Sequence, residues 1–130
     1  MSTPDMKVLI VDDMKLARVR VRQACERIGL KNFQEATNGN EAWNIIKNGY
    51  LPALILTDFN MPDMNGLQFL DLVRKHEALK EIPVVMITSE SEKQVILTAV
   101  NLGITEFVIK PFSDEALSTK ITTAIGKKSK

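Results

Sequence analysis

The sequence predicts a doubly wound α/β fold built on a five-stranded, mainly parallel sheet, and three observations carry that expectation. Short β-rich runs at Lys7–Val11, Asn32–Ala36, Leu54–Thr57, 83–88 and Glu106–Ile109 alternate with longer segments of helical period. Several of the runs are wholly apolar, as strands must be when crossover helices cover both faces of their sheet. Polar side chains close the runs: Asp12 and Asp13 after the first, Asp58 after the third, Thr88 at the end of the fourth and Lys110 after the last. In a chain of alternating strands and helices these ends converge on one edge of the sheet, where such folds hold their ligands.

The helices follow in order. The first repeats Ala17, Val21, Ala24 or Cys25, and Ile28 at three- or four-residue spacing, with Lys15, Arg18, Arg22 and Gln23 on other faces, and Gly29 stops it as a left-handed cap. The second starts at Asn38 with Glu41 three residues on, a capping-box pattern, and runs through Ala42, Ile45 and Ile46 towards Gly49. Pro52 then releases the third strand. Asn65 and Gly66 open the third helix, whose Leu67, Leu70 and Val73 keep the period until the polar segment 76–81, and Pro83 starts the next strand. Ser89 with Glu92 marks the start of a fourth helix through Val95, Ile96, Ala99 and Val100 to Gly103. Ser113, followed by Asp114 and Glu115, caps the fifth with acids in its first turn, and 127–130 reads as a frayed basic tail.

The bulk properties bound the function. A chain of 130 residues, 45% hydrophobic, suits one domain over 1–130 with a proper core and leaves no room for an output domain. Seventeen basic against sixteen acidic residues give a net charge of +1, which calls for neither nucleic acid nor an anionic membrane. The single cysteine, Cys25, lies in an apolar helical pattern; an internal disulfide is excluded and a buried, inert thiol in a reducing compartment is expected. No segment approaches the roughly 20 apolar residues of a membrane span, and the N-terminus lacks the hydrophobic region of a secretory signal, so the cytoplasm is the expected location.

Asp12, Asp13 and Asp58 together bring up to three negative charges into a small space, which is costly unless a cation sits among them. Oxygen-only ligands with open positions favour Mg²⁺. With the acids neutralised, the Asp58 carboxylate can attack a phosphorus centre in line and become an aspartyl phosphate. Lys110 can balance charge on the phosphoryl oxygens and Thr88 can donate a hydrogen bond to one of them. A cis Lys110-Pro111 bond would turn the lysine back into the cleft.

Four motifs in order, Val11-Asp12-Asp13, Asp58-Phe59-Asn60-Met61-Pro62-Asp63-Met64-Asn65-Gly66, Ile87-Thr88-Ser89 and Lys110-Pro111-Phe112, resemble those of response-regulator receiver domains over nearly the whole chain. The resemblance implies a flavodoxin-like (βα)5 fold with strand order 2-1-3-4-5. It implies that Asp58 is the phosphoacceptor, phosphorylated by a histidine kinase, and that Asp13, Asp58 and the Asn60 backbone carbonyl bind Mg²⁺, with Asp12 acting through water. Thr88 and Lys110 become the switch hydroxyl and the phosphoryl-binding lysine, and Phe107 the aromatic switch, whose ring turns into the space Thr88 leaves. That rearrangement changes the face made by the fourth helix, fifth strand and fifth helix, where a target binds. Within the family, Asn60 and Glu90 match the single-domain chemotaxis regulators, which implies a monomer acting on a flagellar motor switch and a short-lived phosphoryl group. Phe107 departs from the tyrosine of those regulators and lacks its hydroxyl.

Blander readings stand beside these. Asp12-Asp13 alone would cap a helix, Thr88 would close a strand and Lys110 would lie on the surface; only their joint order makes a site. Lys15, Arg18 and Arg22 read first as a solvated face and second as a kinase-docking stripe, His76 as a surface residue near a helix end, and Trp43 and Tyr50 as too isolated to form a stacking platform. A flavodoxin-like electron carrier needs a hydroxyl- and glycine-rich first loop, where this chain has two acids. A haloacid-dehalogenase phosphatase needs an aspartate where Asn60 stands. A phosphorelay intermediate passing its phosphoryl group to a histidine phosphotransfer protein is the closer alternative; a phosphorylation-independent binding module is a third, against which the intact acid set argues.

Overall fold

The computed structural model describes residues 5–127; of the basic tail, 128–130 lie outside the described residues. Five strands, β1 (Lys7–Val11), β2 (Asn32–Ala36), β3 (Leu54–Thr57), β4 (Val84–Thr88) and β5 (Glu106–Ile109), alternate with helices α1 (Lys15–Arg27), α2 (Gly39–Lys47), α3 (Gly66–Lys75), α4 (Lys93–Asn101) and α5 (Asp114–Gly126). All pairings are parallel and the strand order is β2-β1-β3-β4-β5. The doubly wound architecture and the order read from the sequence are those observed.

Strand side chains alternate between two cores, which is why the central strands read as unbroken apolar runs. Val8, Ile10, Leu54, Leu56, Val85, Ile87 and Val108 face α1 and α5, meeting Val21, Ala24, Cys25, Leu117, Ile121 and Ala124. Leu9, Val11, Ile55 and Val84 face the other way, onto Ala42 and Ile46 of α2 and Phe69, Leu70 and Val73 of α3. Burying one such side chain stabilises the fold by about 1.5–3 kcal/mol relative to exposure. The two edge strands are the exceptions: only Ala36 of β2 and only Val108 of β5 are buried, since each strand has one flank that meets no neighbour.

Most helix boundaries follow the predicted chemistry, with two corrections, at α2 and α4. At α2, the Asn38 side chain accepts from the Glu41 amide as expected, but the Glu41 carboxylate turns back to the amide and hydroxyl of Thr37 instead of closing a box on Asn38. The complete capping box is at α3, where Asn65 and Gln68 exchange side-chain bonds to backbone. Helix α4 begins later than Ser89 predicts: its N-cap is Glu92, which makes no side-chain cap bond, and Ser89 lies exposed in the loop before it. Glycines past α1 and α2, Gly29 at φ +93° and Gly49 at φ +111°, take the left-handed conformation that closes a helix without a Cβ penalty.

The basic stripe is a solvated face only in part: Lys15 and Arg22 are exposed, while Arg18 is half-buried. Arg18 pairs with Glu35 of β2 at 2.9 Å, and Arg22 pairs with Glu35 at 3.2 Å while its guanidinium lies 4.8 Å from the centre of the Phe33 ring. Two of its three cations therefore pin α1 to the edge strand. His76 and Trp43 are half-buried and meet edge to face at 5.8 Å, and the Tyr50 hydroxyl donates to the Val8 carbonyl or the Asn32 oxygens on β1 and β2. The spacing that lifts Leu67 to the core stripe of α3 also missed Phe69, a fully buried residue, whereas Leu67 is only half-buried. Val100, read as part of the apolar face of α4, is 58% exposed.

Candidate functional site

Sheet register assembles the acids. Val11 pairs with Thr57 across β1 and β3, so the residues that follow, Asp12 and Asp58, leave adjacent strands at the same level. Thr88 pairs with Ile109 across β4 and β5, which brings Lys110 to the same edge. Backbone bonds from Asp12 N to Ala36 O and from Asp58 N to Val11 O, both 3.0 Å, carry the ladder one residue beyond the strands and fix both aspartates.

Carboxylate oxygens of Asp12, Asp13 and Asp58 all lie within 4.8 Å of one another. Asp12 and Asp58 are buried and Asp13 is exposed, so the cluster opens to solvent on the Asp13 side. Lys110 Nζ donates to Asp12 Oδ2 at 3.0 Å and to Asp58 Oδ2 at 3.3 Å. The remaining oxygens are also placed, Asp12 Oδ1 by the Met14 amide at 2.9 Å and Asp58 Oδ1 by the Phe59 amide at 2.7 Å. Burial alone would lower the Lys110 pKa, but its bond to Asp12 and the charges of both aspartates outweigh that, and its proton is held above the ordinary lysine value. One cation therefore faces three carboxylates, an uncompensated excess of negative charge in a partly buried site.

That donor set fits Mg²⁺: only oxygens, two carboxylates held by backbone amides, and an open side for water or phosphate. The other expected residues lie around it. Asn60 is exposed in the loop after Asp58. Thr88 is fully buried, and its hydroxyl accepts from the Glu90 amide at 3.2 Å, with no bond to the acids among the described residues. Glu90 is half-buried and its carboxylate accepts from the Glu92 amide, bracing the loop between β4 and α4. Phe107 lies half-buried on β5, paired with Met86. The Lys110-Pro111 peptide is cis.

Two contributors were missed in the sequence. Gly66 packs under the Asp58 backbone so closely that a Cβ there would collide with the Asp58 carbonyl oxygen; the sequence marks it as a helix start and the last residue of the Asp58 motif, with no sign of this contact. Arg18 donates from Nη1 to the Asp12 carbonyl at 2.7 Å, a bond that no local sequence pattern announces.

A parallel sheet that gathers a buried carboxylate, two accessory acids, a buried hydroxyl and a lysine at one edge defines a receiver of the kind that serves in signalling. A model of the response regulator receiver domain matches residues 8–122, and the chain belongs to that family. It is similar to chemotaxis protein CheY1 of Helicobacter pylori, 36% identical over 121 residues that span 93% of this chain and 98% of the relative. Chemotaxis protein CheY-3 of Vibrio cholerae is 38% identical over 117 residues, 90% of this chain and 89% of the relative. Among solved structures, chemotaxis response regulator CheY4 of Vibrio cholerae superposes with a TM-score of 0.83 at 29% identity, covering 92% of this chain and 98% of that one. The CheY of a CheX-CheY-BeF3-Mg²⁺ complex from Borrelia burgdorferi gives 0.83 at 25% identity, covering 91% and 87%. The chain is thus a CheY-type receiver, a signalling switch and not a classical enzyme. Among the described residues no helix is long and apolar enough to cross a membrane.

Proposed function

We propose that the chain is a monomeric cytoplasmic response regulator of chemotaxis, phosphorylated on Asp58 by a histidine kinase and acting on a flagellar motor switch. The observation that carries this reading is the convergence of Asp12, Asp13 and Asp58 within 4.8 Å with Lys110 bonded to two of them. The similarity to CheY proteins over more than nine-tenths of the chain supports the chemotactic role.

In the proposed reaction an Asp58 carboxylate oxygen attacks the phosphorus of a phosphohistidine; the O–P bond forms as the N–P bond breaks, and the electron pair leaves with the imidazole, which is then protonated. Asp13, Asp58 and the Asn60 carbonyl would hold Mg²⁺, with Asp12 acting through water, and the ion would supply positive charge against that of the carboxylate and phosphoryl oxygens. Lys110 already lies 3.3 Å from Asp58 and supplies a fixed positive charge to the phosphoryl group without reorganisation. Thr88 gives up its bond to the Glu90 amide, turns its hydroxyl to a phosphoryl oxygen and vacates space that the Phe107 ring fills. Leu97, Val100 and Ile109, 47%, 58% and 40% exposed, give the α4–β5–α5 face an apolar surface for the target.

Asn60 and Glu90 flank the phosphoryl position and admit the water that hydrolyses it, which favours a self-resetting switch over a relay. The lifetime of the Asp58 phosphate in Mg²⁺ buffer tests this. Loss within minutes, accelerated or slowed by substitutions at Asn60 and Glu90, agrees with motor regulation. Persistence for hours, with rapid transfer to a histidine phosphotransfer protein, would reassign the chain to a phosphorelay.

A further inference from the structure

We propose that Arg18 is a positioning residue of the acidic site, holding the turn that presents Asp12 and Asp13 to the cation. This rests on the reading of the cluster as a Mg²⁺-dependent phosphorylation site. Arg18 Nη1 donates to the Asp12 carbonyl oxygen at 2.7 Å, and Nε donates to Glu35 Oε1 at 2.9 Å. With its side chain only 14% exposed, the guanidinium makes these bonds with little competition from water.

The Asp12 carbonyl lies one residue past the last register pairs of β1, Val11 with Ala36 and Val11 with Thr57. A buried carbonyl at a strand end needs a donor from elsewhere. Arg18, the fourth residue of α1, is that donor. The other polar atoms of Asp12 are taken by Ala36 O, Met14 N and Lys110 Nζ, so Arg18 completes the set and fixes the plane of the peptide linking Asp12 to Asp13. Rotation of that plane would swing the Asp13 backbone and, with it, the exposed carboxylate of the cluster. Glu35 aims the guanidinium; it is set by its register with Ile10, and its second oxygen is taken by Arg22 at 3.2 Å. Only a fork of donors spans both acceptors at once, which is why a lysine is a poor substitute.

Outer residues that orient metal ligands typically alter affinity by roughly 10–100-fold. Mg²⁺ alone, titrated calorimetrically into the full chain, is the probe. Arg18→Met should weaken Mg²⁺ binding roughly tenfold or more, Arg18→Lys should recover part of that loss, and Glu35→Gln should fall between Arg18→Met and the native chain. Arg22→Met, which shares Glu35 but does not touch the loop, should bind as the native chain does. NMR amide shifts of Asp13 and Met14 should move in Arg18→Met before any Mg²⁺ is added, while core amides such as that of Leu56 stay in place. A folded Arg18→Met that binds Mg²⁺ with native affinity overturns the proposal. If Arg18→Met does not fold, an unchanged affinity in Glu35→Gln overturns it instead. A native chain that binds no Mg²⁺ overturns the underlying reading as well, and so separates the two failures.

Discussion

Gly66 lies directly against the backbone of Asp58: a Cβ at residue 66 would run into the Asp58 carbonyl oxygen and stand 2.9 Å from the Cα of Phe59, while the Gly66 amide donates to the Phe59 carbonyl at 2.8 Å. The first residue of α3 therefore doubles as the floor beneath Asp58 of the acidic cluster. Because the colliding atoms belong to backbone, the side chain cannot be accommodated by a rotamer change. Gly66→Ala should cost about 1–3 kcal/mol in urea denaturation, and should also reduce phosphorylation by acetyl phosphate beyond what the lost stability explains.

Arg74 braces another part of the fold. From α3 its guanidinium donates to the carbonyls of Ile82 at 2.7 Å and Gly103 at 2.8 and 3.0 Å, tying together the entry to β4 and the turn after α4. Burial lowers the pKa of this guanidinium, a sign of how much hydration it gives up for those carbonyls. Arg74→Ala should destabilise the fold by about 2–3 kcal/mol, and Arg74→Lys should restore little because a single ammonium cannot reach both carbonyls. The shift of the urea midpoint checks both.

Asp13 tests the electrostatics. Three carboxylates within 4.8 Å face one lysine, so removing the exposed one relieves repulsion when no cation is present. Asp13→Asn should raise the melting temperature in EDTA and abolish the further rise that Mg²⁺ gives the native chain.

Alkaline pH provides a separate check. Burial, helped by the neighbouring Glu26 charge, pushes the Cys25 thiol from 9.0 up to about 12. The unfolded thiol ionises first, so its contribution to stability is intact below the ordinary thiol range and is lost as pH rises towards about 12. The raised Lys110 acts in the same direction, its contribution disappearing above the ordinary lysine value. The urea midpoint should therefore fall as pH rises from about 9 towards about 12, with a smaller fall in Cys25→Ala. Thiol reagents should label Cys25 only as fast as the chain unfolds.

What could be read from the sequence was what depends on local pattern. The strand runs, the glycine stops after α1 and α2, and the polar residues at strand ends all follow from short-range chemistry, and the parallel sheet then forces Asp12, Asp58 and Lys110 together. The start of α4 was misread because Ser89 and Glu92 have the right spacing for a cap, yet Thr88 and Glu90 hold the intervening loop in another shape. Arg18 and Arg22 looked like a solvated stripe because their partner Glu35 lies on a different strand, and only the register of β1 with β2 places it beneath them. The demand for glycine at 66 likewise arises from a backbone approach between β3 and α3 that no periodicity reports.

The most direct measurement is the intact mass of the chain after incubation with acetyl phosphate and Mg²⁺. The account predicts one added phosphoryl group on the native chain, none on Asp58→Asn, and none on either when EDTA replaces Mg²⁺. Equal labelling of Asp58→Asn, or a native chain that stays unmodified while properly folded, would contradict it.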